Sequence, residues 1–117
     1  INNSMFNLLI DKQIFVPKRV FYMYNLNNTS PRGNHANIES SFIFQMPLGT
    51  CEIEYFYKNI NNKFNLNNQN NIYLKNKTWK SMYNFSQKSI LVVVSDCKYN
   101  KNEYIKNYKE FERINNA

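Results

Sequence analysis

His35 is the only histidine in this 117-residue chain, and its surroundings read as a device for aiming it. It lies in Pro31-Arg32-Gly33-Asn34-His35-Ala36-Asn37, which holds one of the two glycines and one of the three prolines. Proline presets its own φ, and glycine adopts backbone shapes that other residues take only at a cost. The stretch therefore predicts a turn leading into a strand. In that strand His35 and Asn37 are two apart and share a face. An imidazole, with an ordinary pKa of about 6.5, can accept and return a proton near neutral pH. The Asn37 amide cannot shuttle protons but can hold a carbonyl or a hydroxyl. This face is the candidate site, and proton transfer is its candidate chemistry. The alternative is a histidine that serves structure alone.

The elements that must position this face are short and extended. Residues 18–24 carry β-branched and aromatic residues throughout, with Arg19, Phe21 and Met23 on one face and Val20, Tyr22 and Tyr24 on the other. Strands are also predicted at 41–46, 51–57, 64–66, 72–74, 78–85 and 90–95. Turns fall at 47–50 and 76–77, and a hairpin tip at 59–63, where asparagine tolerates positive φ. Residues 90–95 are the most apolar and predict a central strand buried on both faces. Residues 5–10 form a further extended apolar run. Only the end reads as helix, over 102–111, with Tyr104, Ile105, Tyr108 and Phe111 on one stripe. Asp96 and Glu103 read as turn and helix-start residues. Many short strands closed by one helix predict an all-β sandwich or barrel.

Composition narrows the function classes. The length suits one domain spanning residues 1–117. Roughly one residue in five is asparagine, several-fold above the globular share, which we read as surface and turn filler. The net charge of +7 and a pI of about 9.4 suit a small phosphorylated ligand. The lysines form no run of five or six, which argues against nucleic acid. Cys51 and Cys97 are too few for a disulfide framework and fit no metal spacing; both are expected to pack as small hydrophobes. No apolar segment approaches 18 residues and Ile1 opens no signal-peptide pattern, so a soluble, cytoplasmic protein without membrane contact is expected.

Five blocks then resemble one family in register: Lys18-Arg19-Val20-Phe21-Tyr22; Pro31-Arg32-Gly33-Asn34-His35-Ala36; Leu48-Gly49-Thr50-Cys51; Trp79 with Met82-Tyr83-Asn84-Phe85-Ser86; and Asp96 through Phe111. Together they are similar to the sugar-nucleotide 3,4-ketoisomerases, a family of small cupins. The resemblance implies a jelly-roll barrel with a short C-terminal helix, no metal or other cofactor, and a homodimer with exchanged N-terminal strands. It also implies a dTDP-4-keto-6-deoxy sugar as substrate, isomerised to its 3-keto form on the way to a bacterial surface glycan. Asn37, Phe42, Lys80 and Tyr83 stand where that family usually carries a histidine, a glutamine, a histidine and a histidine.

For that reaction a base must take the C3 proton and an acid must return one at C4, through an enediol. One imidazole beside the ring edge can serve both carbons, so His35 is the catalytic candidate, with Tyr83 to pass a proton between oxygens. Arg19 and Arg32 are the candidate diphosphate partners, because guanidinium binds phosphate bidentately, and Asn37 a candidate substrate contact. Trp79 or the Tyr22/Tyr24 pair could stack on a base, though aromatic strand residues are more often core. A single histidine excludes the usual cupin metal trio. The alternatives are a related cupin that binds a nucleotide sugar, or isomerises another one, and a protein that keeps only the fold.

Overall fold

The computed structural model describes residues 13–26 and 31–115; the apolar run at 5–10 lies outside them. Nine strands and one helix follow one another as β1 (Arg19–Tyr24), β2 (Arg32–Asn37), β3 (Phe42–Leu48), β4 (Cys51–Tyr57), β5 (Ile60–Leu66), β6 (Asn71–Leu74), β7 (Trp79–Tyr83), β8 (Ile90–Ser95), β9 (Tyr104–Ile105) and α1 (Tyr108–Asn115). They build a four-stranded sheet in the order β1-β8-β3-β6 and a five-stranded sheet in the order β5-β4-β7-β2-β9. Apart from the β4–β5 hairpin, successive strands alternate between the sheets, as a jelly roll requires. Among the described residues no strand pairing joins the sheets, so the sandwich stays open at its edges instead of closing into a barrel.

Period-two patterning fills the space between the sheets. Phe42, Phe44 and Met46 of β3, Cys51 and Ile53 of β4, Met82 of β7, and Leu91 and Val93 of β8 all meet there, fully buried. Each such side chain gains about 1.5–3 kcal/mol from leaving water. β8 is central in its sheet, flanked by β1 and β3, as its apolar run predicts. Part of the outer face of the four-stranded sheet is covered by Phe15, which packs on Ile43 and Val94 and meets the Tyr73 ring edge-on at 6.0 Å. The outer face of the five-stranded sheet is covered by α1, whose Phe111 packs with Ala36 and Ile105.

The strand at 78–85 shortens to Trp79–Tyr83, and the hairpin and the helix also differ from expectation. The hairpin tip is the two-residue turn Lys58-Asn59, both at positive φ, with Tyr57 and Ile60 paired across it. The helix starts later than residue 102. Glu103 ends a 3-10 turn, Tyr104 and Ile105 pair as β9 with Asn37 and Ala36, and Asn107 then caps α1 by accepting the Glu110 N–H through Oδ1 at 3.1 Å. Ladder bonds and the burial of Glu103 outweigh the helical stripe, whose residues divide between the strand and the helix.

Candidate active site

A β-bulge builds the site. Arg32 and His35 are three apart and would face opposite ways in a regular strand. Across β2 and β7, however, Arg32 pairs with Met82, Gly33 with Ser81 and His35 with Lys80, so Asn34 is the extra residue. Gly33 and Asn34 both adopt positive φ, at 88° and 55°. A Cβ on Gly33 would lie 2.9 Å from the Lys80 carbonyl oxygen, so glycine is required here on two counts. The expected turn before the strand is thus a bulge inside it, and it turns Arg32 and His35 toward the same space.

That space is a cavity of about 280 Å³ between the sheets. Arg19, Phe21 and Met23 of β1 line one side; Arg32, Gly33 and His35 of β2 line another, with Lys80 and Met82 of β7 and Tyr104 of β9. Phe42, Phe44 and Val93 form the apolar floor. Arg19 holds its guanidinium over the Phe21 and Tyr99 rings, 4.5 and 5.0 Å from their centroids. Arg32 is exposed at the rim. Among the described residues neither guanidinium has a carboxylate within ion-pair distance.

His35 stacks on Tyr104 with ring centroids 4.7 Å apart, and its Nδ1 lies 3.0 Å from the Gly33 carbonyl oxygen. A carbonyl only accepts, so Nδ1 carries the proton and Nε2 keeps its lone pair. Burial, and then the charge of Lys80, push the imidazole pKa down to about 4, against the opposing hydrogen bonds from Gly33 and Asn37. His35 is therefore a neutral base at neutral pH, shifted well away from its ordinary 6.5.

Lys80 is a buried lysine, 3% exposed, on the same face of β7 as Met82. Its Nζ donates to Asn37 Oδ1 at 3.1 Å and sits 4.6 Å above the Phe42 ring. Burial pushes its pKa down to about 7, with the charge of Glu103 opposing. Glu103 is also buried and accepts from the Glu39 and Ser40 backbone N–H groups at 3.0 and 2.8 Å and from the Ser40 hydroxyl. Burial alone would raise the Glu103 pKa; the donors from Ser40 and Glu39, with the Asn37 side chain nearby, outweigh it and hold the carboxyl below its ordinary value. Glu103 thus fixes the β2–β3 connection.

The structure brings Arg19, Arg32 and His35 to one cavity. Asn37 shares the His35 side of β2 but is 1% exposed and engages Lys80. Tyr83 is not brought in: three residues from Lys80 in an unbulged strand, it points out of the opposite face and pairs with Glu52 of β4. Trp79 also faces outward and packs under α1, 5.2 Å from the Tyr108 ring and 5.7 Å from Phe111. Tyr22 and Tyr24 stand exposed on the outer face of β1. Lys80, Tyr104 and Glu103 were not among the candidates. The alternation in Trp79-Lys80-Ser81-Met82 already places Lys80 beside an apolar neighbour on an inward face; no comparable signal marks Tyr104, which the helical stripe masks.

Two facing antiparallel sheets with a polar cavity between them define a small cupin of the jelly-roll kind. The family described as FdtA: WxcM-like, C-terminal matches residues 3–116, and the chain belongs to it. The crystal structure of WlaRA, a TDP-fucose-3,4-ketoisomerase from Campylobacter jejuni, is 38% identical with a TM-score of 0.86, covering 92% of this chain and 82% of that one. A 3,4-ketoisomerase from Helicobacter canadensis is 34% identical with a TM-score of 0.86, covering 94% of this chain and 85% of that one. The TDP-4-oxo-6-deoxy-alpha-D-glucose-3,4-oxoisomerase of Aneurinibacillus thermoaerophilus is 26% identical over 100 residues, 85% of this chain and 72% of that protein.

Proposed function

We propose that this protein is an isomerase that interconverts the 4-keto and 3-keto forms of a TDP-linked 6-deoxy sugar. The observation that carries the reading is His35, oriented by the Gly33 carbonyl and lining a cavity edged by two arginines. A cavity of about 280 Å³ falls just below the usual range for small-molecule sites, roughly 300–1,000 Å³, and suits the sugar ring with the nucleotide left outside. Arg19 and Arg32 then meet the diphosphate at the mouth bidentately, with no carboxylate among the described residues competing for them. His35 Nε2 takes the proton from C3, the enediol forms, and the imidazolium returns a proton to C4. Asn37 serves by holding Lys80 instead of touching the sugar.

We extend the proposal to a homodimer with exchanged N-terminal strands, working in the cytoplasm toward a surface glycan. The exposed row Val20, Tyr22 and Tyr24 on the outer face of β1 supports a second copy packing there. The test of the function is direct. Incubating the protein with TDP-4-keto-6-deoxyglucose should yield the 3-keto sugar by proton NMR. Binding of the nucleotide sugar with no conversion would instead make the protein a binding module.

A further inference from the structure

We propose that Lys80 is the second proton-transfer group of this site, acting on the two sugar oxygens while His35 acts on the two carbons. The proposal rests on the ketoisomerase reading above and adds to it the residue that handles O3 and O4.

Lys80 presents an ammonium with two N–H donors to spare. Lys80 is the Cα partner of His35 across β2 and β7, and both side chains line the same cavity. An ammonium has three N–H groups. One goes to Asn37 Oδ1 at 3.1 Å, and the charge rests over the Phe42 ring at 4.6 Å. No further partner is present among the described residues, which leaves donor capacity directed at the cavity.

The fold gives the Lys80 ammonium one hydrogen bond, the Phe42 ring and the more distant charge of Glu103, but no ion pair among the described residues. Met82, two residues on, packs the same inner face without a charge, and Glu103 is held by Ser40 and Glu39 donors and forms no ion pair with Lys80. Burying an ammonium with one hydrogen bond costs stability, so its presence needs a use.

The steps balance. His35 Nε2 takes the C3 proton, and the electrons of that C–H bond form the C3–C4 double bond. The C4 carbonyl π electrons move onto O4, which takes a proton from the Lys80 ammonium. The enediol then collapses: the neutral Lys80 amine takes the proton from O3, C3 becomes the ketone, and His35 returns its proton to C4. Both residues end as they began. This is the oxygen role first expected of Tyr83, which the strand alternation turns away from the cavity.

The reaction starts with His35 neutral and Lys80 protonated. Burial puts their pKa values at about 4 and about 7, which sets the acid and alkaline limits of activity. The charged groups that face this pair are Glu103 from the 3-10 turn on Lys80, Lys106 after β9 on His35, and Arg19 from β1 and Arg32 from β2 on the cavity lining, with Tyr104 beside His35.

The test is the pH profile of kcat/KM for the parent, Lys80→Met and Lys80→Arg, with TDP binding measured alongside. The parent should lose activity as pH rises through about 7. Lys80→Arg stays charged but cannot give up its proton, so its rate should fall by about 10²-fold or more and the limb near 7 should vanish. Lys80→Met should fall at least as far, with TDP bound as in the parent. A parent that turns over while Lys80→Met keeps its rate and its alkaline limb would overturn the assignment alone. A parent without turnover would overturn the functional reading as well.

Discussion

The two sheets face each other across one cavity and contribute opposite things to it. The five-stranded sheet supplies His35, Lys80, Arg32 and Tyr104, with Asn37 and Glu103 behind them. The four-stranded sheet supplies Phe21, Met23, Phe42, Phe44 and Val93, and of polar groups only Arg19 at its edge strand. Burial inside the sandwich is what moves the pKa values of His35 and Lys80, and the charge of Lys80 adds to it at His35. Desolvation is the largest cause for both His35 and Lys80. One sheet carries the reactive groups and the other closes an apolar floor over them.

Mutations can break this division. The largest stability effect should come from the apolar sheet. Leu91 is fully buried on β8 but does not line the cavity, so Leu91→Ala should cost about 2–5 kcal/mol in denaturant unfolding while leaving kcat within a few-fold. A large loss of kcat at retained fold would show that the walls are not separable in this way.

The polar sheet should behave in reverse. Lys80→Met removes the buried ammonium and leaves Asn37 Oδ1 without its donor, so the net stabilisation at neutral pH should be on the order of 1 kcal/mol. The sign follows from the depressed pKa. Between about 7 and 10.5 the unfolded chain holds the Lys80 proton more tightly than the folded one. Parental stability therefore rises with pH across that window. The advantage of Lys80→Met should be full below pH 7 and should fade by pH 10.5, and chemical denaturation at both ends would measure it.

Arg19→Ala and Arg32→Ala should each weaken TDP binding by about 1.5–3 kcal/mol, the usual worth of a charge-assisted phosphate contact, with the exposed Arg32 at the lower end. Calorimetry in which both variants bind as the parent does would remove the diphosphate from this rim. Smallest of all, Tyr83→Phe should leave kcat within about twofold, because its hydroxyl lies on the far face of β7. A tenfold loss would return Tyr83 to the chemistry.

Most of the strands were legible because alternation and β-branched runs report directly on a two-sided sheet, as in Arg19–Tyr24 and Ile90–Ser95. Asparagine as a turn residue was legible at the hairpin tip, where Asn59 takes positive φ, but not at Asn84, which lies inside the predicted 78–85 strand and takes positive φ just after β7. The helix start was not. The same spacing in Tyr104-Ile105 serves a helix stripe or a strand, and only pairing with Asn37 and Ala36 decides it. Within the site, the face shared by His35 and Asn37 followed from period two. The convergence of Arg32 and His35 did not, because one extra residue reverses the parity. The His35 pKa was out of reach for another reason: desolvation depends on a wall made by strands distant in sequence.

The central claim is that His35 is the base on the carbon. Its most direct test is solvent deuterium incorporation at C3 of TDP-4-keto-6-deoxyglucose by His35→Asn, with TDP binding measured on the same sample. Incorporation should fall by about 10²–10⁴-fold while binding stays within a few-fold of the parent. Undiminished incorporation by His35→Asn would contradict the account.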